Sequence, residues 1–254
     1  MPQTFQPGDT AQPSDQQSIW ILAILSALMA FASVSTDLYL TAMPVMAQSL
    51  HADAGQLEFT ITASAGGFFY GGMYAYIAGT PFAYIDFYHV SPQTYGILFG
   101  VGIVGIMLTN QVNARWVKQQ GSDRLMRLGA LVAAVAGISL AVDAQWAIGG
   151  LVGLVVPLFF FVAAAGLIVA NSIVGALNNF PHVAGSVSAL IGALQYGTGI
   201  MGSGMVGMLA DGTPIPMAMV IAAFGGASAL CAIWAVKSKS ESAIQVSIAG
   251  SGVK

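Results

Sequence analysis

The sequence predicts an all-α fold, a polytopic membrane helix bundle of about seven transmembrane helices, and three observations predict it. Only 7% of the 254 residues are charged, against roughly 25% in a soluble domain. Hydrophobic residues make up 56% of the chain, and apolar runs extend for about 20 residues or more, the length a helix needs to cross the hydrocarbon core. These runs do not alternate apolar with polar residues, as the strands of a membrane barrel would. The composition excludes an ordinary soluble enzyme and a disordered protein. A net charge of −3 and a pI near 5.4 leave no basic footprint for nucleic acid.

The elements follow in order. Residues 1–18 are polar, rich in Gln and Pro, and carry Asp9 and Asp15 without Lys or Arg. They read as a disordered tail, and they lack the positive start of a secretory signal. A transmembrane domain is expected over 19–236, followed by a polar, Ser-rich tail over 237–254. Span 1 runs over about 19–46, interrupted by Ser33, Ser35, Thr36 and Asp37. A short polar loop at 48–58 leads to span 2 at about 59–85. The Ser91-Pro92 pair marks a turn, and span 3 follows at about 95–113. A charged loop is expected over 115–123, then span 4 at about 125–142 and span 5 at about 149–177. Pro181 breaks the chain before span 6, at about 184–209. Pro214 and Pro216 make a tight turn before span 7, at about 217–236. The three histidines, His51, His89 and His182, fall near span ends and read as boundary residues.

Lys and Arg in short loops orient a membrane protein, the basic side facing the cytoplasm. Arg115, Lys118, Arg124 and Arg127 lie between spans 3 and 4, and Lys237 and Lys239 follow span 7. With seven spans these clusters share one face. The other face carries Asp86, Asp143, Asp211 and the acids of the tail. The reading is an outside N-terminus and an inside C-terminus.

Glycine is abundant, 31 residues, with pairs four apart at Gly67 and Gly71, Gly96 and Gly100, and Gly149 and Gly153. Small residues let helices approach closely in lipid. Plain packing is one reading, and a bending or sliding helix pair is the other. Pro81 in span 2 and Pro157 in span 5 each remove a backbone donor and can kink a helix.

Asp37 is the sharpest chemical signal. It stands deep in an apolar stretch, followed by Leu38, Tyr39 and Leu40. An ionisable group at membrane depth is costly and normally faces a cavity or partner. Desolvation there would suit a proton carrier; the alternative is a lipid boundary at Asp37. Among the amides, Gln195 falls mid-span 6, where it either bonds another helix or lines a polar cavity. Asn171 comes near the end of span 5, and Asn110, Gln111 and Asn113 near the end of span 3, where an interfacial position is favoured. Span 2 is strongly aromatic, with Phe68, Phe69, Tyr70, Tyr74, Tyr76, Phe82 and Tyr84. These residues could line an apolar pocket or form a packed or interfacial belt. No phosphate loop, nucleophile elbow or zinc-protease motif is present. A lone Cys231 and scattered histidines imply neither disulfide nor metal, so no cofactor and no enzyme activity are expected.

The stretch Thr36-Asp37-Leu38-Tyr39-Leu40-Thr41-Ala42-Met43-Pro44 resembles the "DMYLPALP" motif in helix one of one transporter branch. That branch is the bicyclomycin-resistance and chloramphenicol-efflux exporters of the major facilitator superfamily. Residues 50–60 resemble the start of its second helix. Ala78 to Ile85, followed by Val90-Ser91-Pro92, resembles the end of its seventh helix. Asn178-Asn179-Phe180-Pro181-His182-Val183-Ala184-Gly185 resembles its "FPHxAG" join between helices ten and eleven. The C-terminal likeness covers about 63–236.

Such exporters have two six-helix halves that rock about a midplane site. This chain matches helix one and then the second half, with the intervening helices absent. The resemblance implies proton-coupled efflux of lipophilic drugs or other small molecules across a bacterial inner membrane. Asp37 matches the acidic residue of the helix-one motif, with Tyr39 beside it. Tyr84, Asn171 and Gln195 are the expected cavity residues. The expected partners are a small lipophilic substrate, protons and the bilayer, with a homodimer or a partner half-transporter completing the pathway. The alternative is a non-transporting assembly partner, or a remnant of a longer transporter. A seven-helix photoreceptor would need a lysine inside the last span, and none is there.

Overall fold

The computed structural model describes residues 54–178 and 180–251, with side-chain surroundings from Phe59 to Ala235 except at 179 and 181. Span 1, with Asp37 and Tyr39, lies outside the described residues. Among those residues the structure is helical with no strand.

Helix α1 (Ala54–Pro81) passes into a wider π-helical turn, Phe82–Phe87. Pro81 has no N–H to give and its ring crowds the preceding turn, so the register slips there. The Tyr88 N–H reaches back to Ala83 (3.2 Å) and the Val90 N–H to Tyr84 (2.8 Å). Helix α2 (Pro92–Gln120) starts where Ser91-Pro92 predicted a turn. Ser91 Oγ accepts the Thr94 N–H at 3.2 Å, and Pro92 occupies the first turn, where its missing donor is harmless.

The expected charged loop over 115–123 is instead helical. α2 continues to Gln120, α3 (Ser122–Trp146) starts at once, and Gly121 at φ +79° makes the turn by itself. Charged residues favour helix as much as apolar ones do, so the helices outrun the apolar stretch that marked the spans.

Span 5 is two helices, α4 (Gly150–Ala163) and α5 (Ala165–Leu177). The break does not fall at Pro157, through which α4 runs unbroken, but at Ala164. A single 3₁₀ turn, Pro181–Val183, precedes α6 (Ala184–Leu209). Asp211 then shapes the next turn: its Oδ1 accepts the Thr213 N–H (2.9 Å) and hydroxyl (2.7 Å), with Gly212 at φ +86°. The Thr213 hydroxyl and N–H hold the Asp211 carboxyl below the usual carboxylate range. Helix α7 (Ile215–Ser251) continues past Val236, so the polar, Ser-rich stretch is helical through Ser251.

Four of these segments are long and apolar enough to cross a membrane: α2, α3, α4 with α5, and α7 up to Ala235. The two that fall outside that measure, α1 and α6, pack on each other and carry the hydroxyl, amide and glycine residues described below. α1 is central, packed on α5, α6 and α7, while α3 lies against α4, α5 and α7 and α2 lies against α4 and α5. The core is built from Phe69, Phe161, Met126, Leu140, Leu154, Leu158, Ile168 and Ile221. Large apolar side chains such as Val135, Met208 and Leu230 stand exposed on the outside, as lipid-facing positions do.

The antiparallel order gathers the ends of the helices. At one end Phe59 meets Phe180 edge to face (5.7 Å), and Ser122 donates to the Asn171 carbonyl (3.1 Å). Arg115, Lys118, Arg124 and Arg127 belong to this end. At the other end Thr80 lies 3.4 Å from the Tyr95 hydroxyl, and Asp86, Asp143 and Asp211 are found.

Candidate functional site

The α1–α6 crossing sets the site. At Gly202 a Cβ would collide with the Gly71 carbonyl oxygen, so only glycine lets the two backbones touch. The Thr198 hydroxyl donates to the Gly67 carbonyl at 2.5 Å across the same crossing. Of the glycine pairs four apart, Gly67 and Gly71 therefore pack helices. Gly96 and Gly100 face open space on α2.

One turn before Gly199, Gln195 is carried into the interior of the crossing and is 6% exposed. Its Nε2 has no hydrogen-bond partner among the described residues. It approaches a notch in α1 at Gly66 that Ser172 of α5 fills: a Cβ there would stand 2.5 Å from Ser172 Oγ and 3.8 Å from Gln195 Nε2. Three helices thus bring polar atoms to one small space. Thr62, one turn away on α1, adds a fully buried hydroxyl that likewise lacks a partner among the described residues. A buried amide donor without an acceptor is costly, so Gln195 is a polar side chain that the packing of this crossing leaves unsatisfied.

Beside the notch, Tyr70, Tyr74 and Tyr196 form a triangle of rings with centroids 6.3 to 6.5 Å apart. Tyr196 is 59% exposed. The ring of Tyr74 lies over Gly199. The aromatic content of span 2 therefore divides: Phe69, Tyr76 and Tyr84 are core, while Tyr70 and Tyr74 border the notch.

Among the described residues, the structure gives Tyr84, Asn171 and Gln195 different surroundings. Asn171 Nδ2 donates to Asn113 Oδ1 (2.6 Å) and to the Leu167 carbonyl (2.7 Å), which ties α5 to α2. Asn113, expected at the interface, is buried for this pairing, while Asn110 and Gln111 are exposed. Tyr84 is buried in the π-helical turn against Tyr95, ring centroids 5.8 Å apart. Eighteen residues of helix separate it from Gly66, roughly 27 Å. Of these three described residues, Gln195 is the one at the α1–α6 crossing.

The sequence reading passed over Asp143 as one more charge on the acidic face. The structure buries it at 8% exposure at the end of α3. Its Oδ1 accepts the Gly149 N–H at 2.6 Å, while Oδ2 is buried without a partner among the described residues. Ala147, at φ +49°, ends α3 in the left-handed region and turns the chain back over the carboxylate. At Gly153 a Cβ would fall 2.0 Å from Oδ1. An Asp followed by glycines at 149, 150 and 153 was the available signal. Burial pushes the nearby Tyr88 phenol above its ordinary value, and the Asp143 charge adds to that. Among the described residues no cluster of His, Cys, Asp and Glu could hold a metal ion.

No protein-family model and no solved structure matches the chain. Relatives do match. The uncharacterized MFS-type transporter YdgK of Bacillus subtilis is 31% identical over 173 residues, 68% of this chain and 42% of that protein. A bicyclomycin resistance protein homolog of Haemophilus influenzae is 29% identical over 160 residues, 63% of this chain and 40% of the relative. A chloramphenicol resistance protein of Pseudomonas aeruginosa is 25% identical over 131 residues, 50% of this chain and 31% of the relative. The chain spans less than half the length of these relatives. Four membrane-capable helices and these relatives together make it a multi-pass membrane protein.

Proposed function

We propose that this chain, a homologue of drug-efflux transporters of the major facilitator type, moves a small lipophilic molecule out across a bacterial inner membrane in exchange for protons. The observation that supports the reading is the buried, unpartnered amide of Gln195 at the α1–α6 crossing, one turn before Gly199, over which the Tyr74 ring lies. The rings would take the apolar body of the substrate and Gln195 Nε2 would donate to an acceptor on it. Asp37, with Tyr39 beside it, is the proposed proton carrier. Tyr84 and Asn171 act at a distance, by holding the helix ends that frame the notch. The basic end of the bundle faces the cytoplasm. A second copy or another half-transporter supplies the facing wall, since rocking about a midplane site needs two halves.

The test is drug accumulation in an efflux-deficient bacterium at matched membrane levels. Wild type lowers accumulation, and collapsing the proton gradient or Asp37→Asn restores it. Gln195→Leu removes one hydrogen bond and weakens apparent affinity roughly 10-fold. Accumulation equal to the empty vector in a well-inserted wild type would sink the reading.

A second reading is a non-transporting assembly partner or remnant. It predicts that Asp37→Asn and Gln195→Leu change nothing.

A further inference from the structure

At the basic end of the bundle, α2 and α3 meet around Gly121 and leave a groove on the outer surface. The groove is lined by Trp116, Gln120, Arg124, Arg127, Leu128 and Leu131. On α2 the lining residues are four apart, and on α3 they fall at spacings of three and four, so each set forms one helix face. The groove is graded by polarity along α3. Arg124 and Arg127 occupy the first turns, and Leu128 and Leu131 follow deeper along the helix, 48% and 41% exposed. Trp116 stands beside them on α2, 50% exposed. Asp123 precedes Arg127 by one turn of α3, and its carboxylate reaches toward α5, 3.7 Å from where a Gly175 Cβ would be.

We propose that this groove binds one anionic phospholipid, with its phosphodiester between Arg124 and Arg127 and its acyl chain along Leu128 and Leu131. Charge complementarity argues for this occupant. Two guanidinium groups on adjacent turns match the oxygens of a phosphate, and basic clefts between spanning helices are suited to anionic headgroups. The apolar continuation favours a lipid over a free anion, since an anion makes no use of the exposed leucines or the Trp116 ring. Indole at this level is the usual residue of the lipid–water boundary. The volume, about 330 Å³, is roughly ten times the share of one water molecule, room for a headgroup rather than a lone ion. The site stands apart from the α1–α6 notch and is independent of whether the chain transports anything.

Native mass spectrometry of the purified full chain in detergent tests it, with phosphatidylglycerol, phosphatidylcholine and inorganic phosphate as probes. Wild type retains phosphatidylglycerol in preference to phosphatidylcholine. R124Q/R127Q binds phosphatidylglycerol roughly 30-fold more weakly, at the usual contribution of a basic residue near an anionic surface. R115Q/K118Q makes the same change of charge outside the groove and keeps the preference. The proposal is overturned if R124Q/R127Q keeps the preference, or if both double variants lose it equally. It is also overturned if inorganic phosphate displaces phosphatidylglycerol at equal concentration.

Discussion

The Thr109 hydroxyl on α2 donates to the carbonyl oxygen of Ala163, 2.6 Å away, where α4 gives way to α5. The Leu167 N–H, the regular partner of that carbonyl, is turned to Ala164 instead (3.0 Å). The break in the helix therefore leaves an orphan acceptor in an apolar setting, and a side chain from a neighbouring helix satisfies it. Gly166 allows this approach, because a Cβ there would collide with the Thr109 hydroxyl and the α2 backbone.

Thr109→Val keeps the shape and removes the donor. It is expected to lower stability by about 0.5 to 2 kcal/mol, the range for hydrogen bonds between membrane helices. Thr109→Ser is expected to retain most of it. Thermal unfolding of both variants in one detergent checks the pair. Equal loss in Val and Ser would mean that packing, not the hydrogen bond, holds the break.

Gly202 and Gly197 give a matched contrast on α6. A side chain at Gly202 would enter the Gly71 carbonyl, whereas Gly197 faces open space. Gly202→Ala is expected to destabilise by about 2 to 3 kcal/mol through overpacking. Gly197→Ala is expected to be neutral or to stabilise by up to about 1 kcal/mol through helix propensity. Chemical unfolding monitored by tryptophan fluorescence separates them. A harmless Gly202→Ala would mean that α1 and α6 do not cross at these residues.

Asp143 and Gly153 should be coupled. Asp143→Ala strands the Gly149 N–H and is expected to cost about 1 to 3 kcal/mol. Gly153→Ala pushes the carboxylate out of its seat and should cost a similar amount, about 1 to 3 kcal/mol. With the carboxylate gone the added methyl has nothing to displace, so the double variant should cost clearly less than the two singles together. Additive losses in a double-mutant cycle would place the carboxylate elsewhere.

Much of the fold was legible in the residues because its causes are local. Apolar length marks a helix that must satisfy its own backbone in lipid. Ser91-Pro92, Pro181 and the Pro214–Pro216 turn punctuate the chain where a missing N–H forbids continuation. Less legible was where charged residues stop being loop. Arg115 to Gln120 and Asp123 to Arg127 are helical although they lie beyond the apolar stretches, since the backbone repeats regardless of what solvates it.

The candidate site divides in the same way. Gln195 stood out because an amide inside an apolar span is costly wherever it points. Its surroundings could not be read, because Gly66, Ser172 and Gln195 meet only when α1, α5 and α6 cross. Asn171 carried the same signal and has a different use, pinned to Asn113 fifty-eight residues away. Asp143 looked like a surface charge until the turn at Ala147 to Gly149 closed over it.

The sequence by itself determined that this is a helical membrane chain, where its proline turns fall, and which end is basic, since each depends on transfer to lipid or on neighbours along the chain. Only the tertiary structure decided which polar side chains are spent on holding helices together and which are left with an unmet donor. Hydrogen bonding between helices depends on distances of a few tenths of an ångström, and those are set by packing, not by composition.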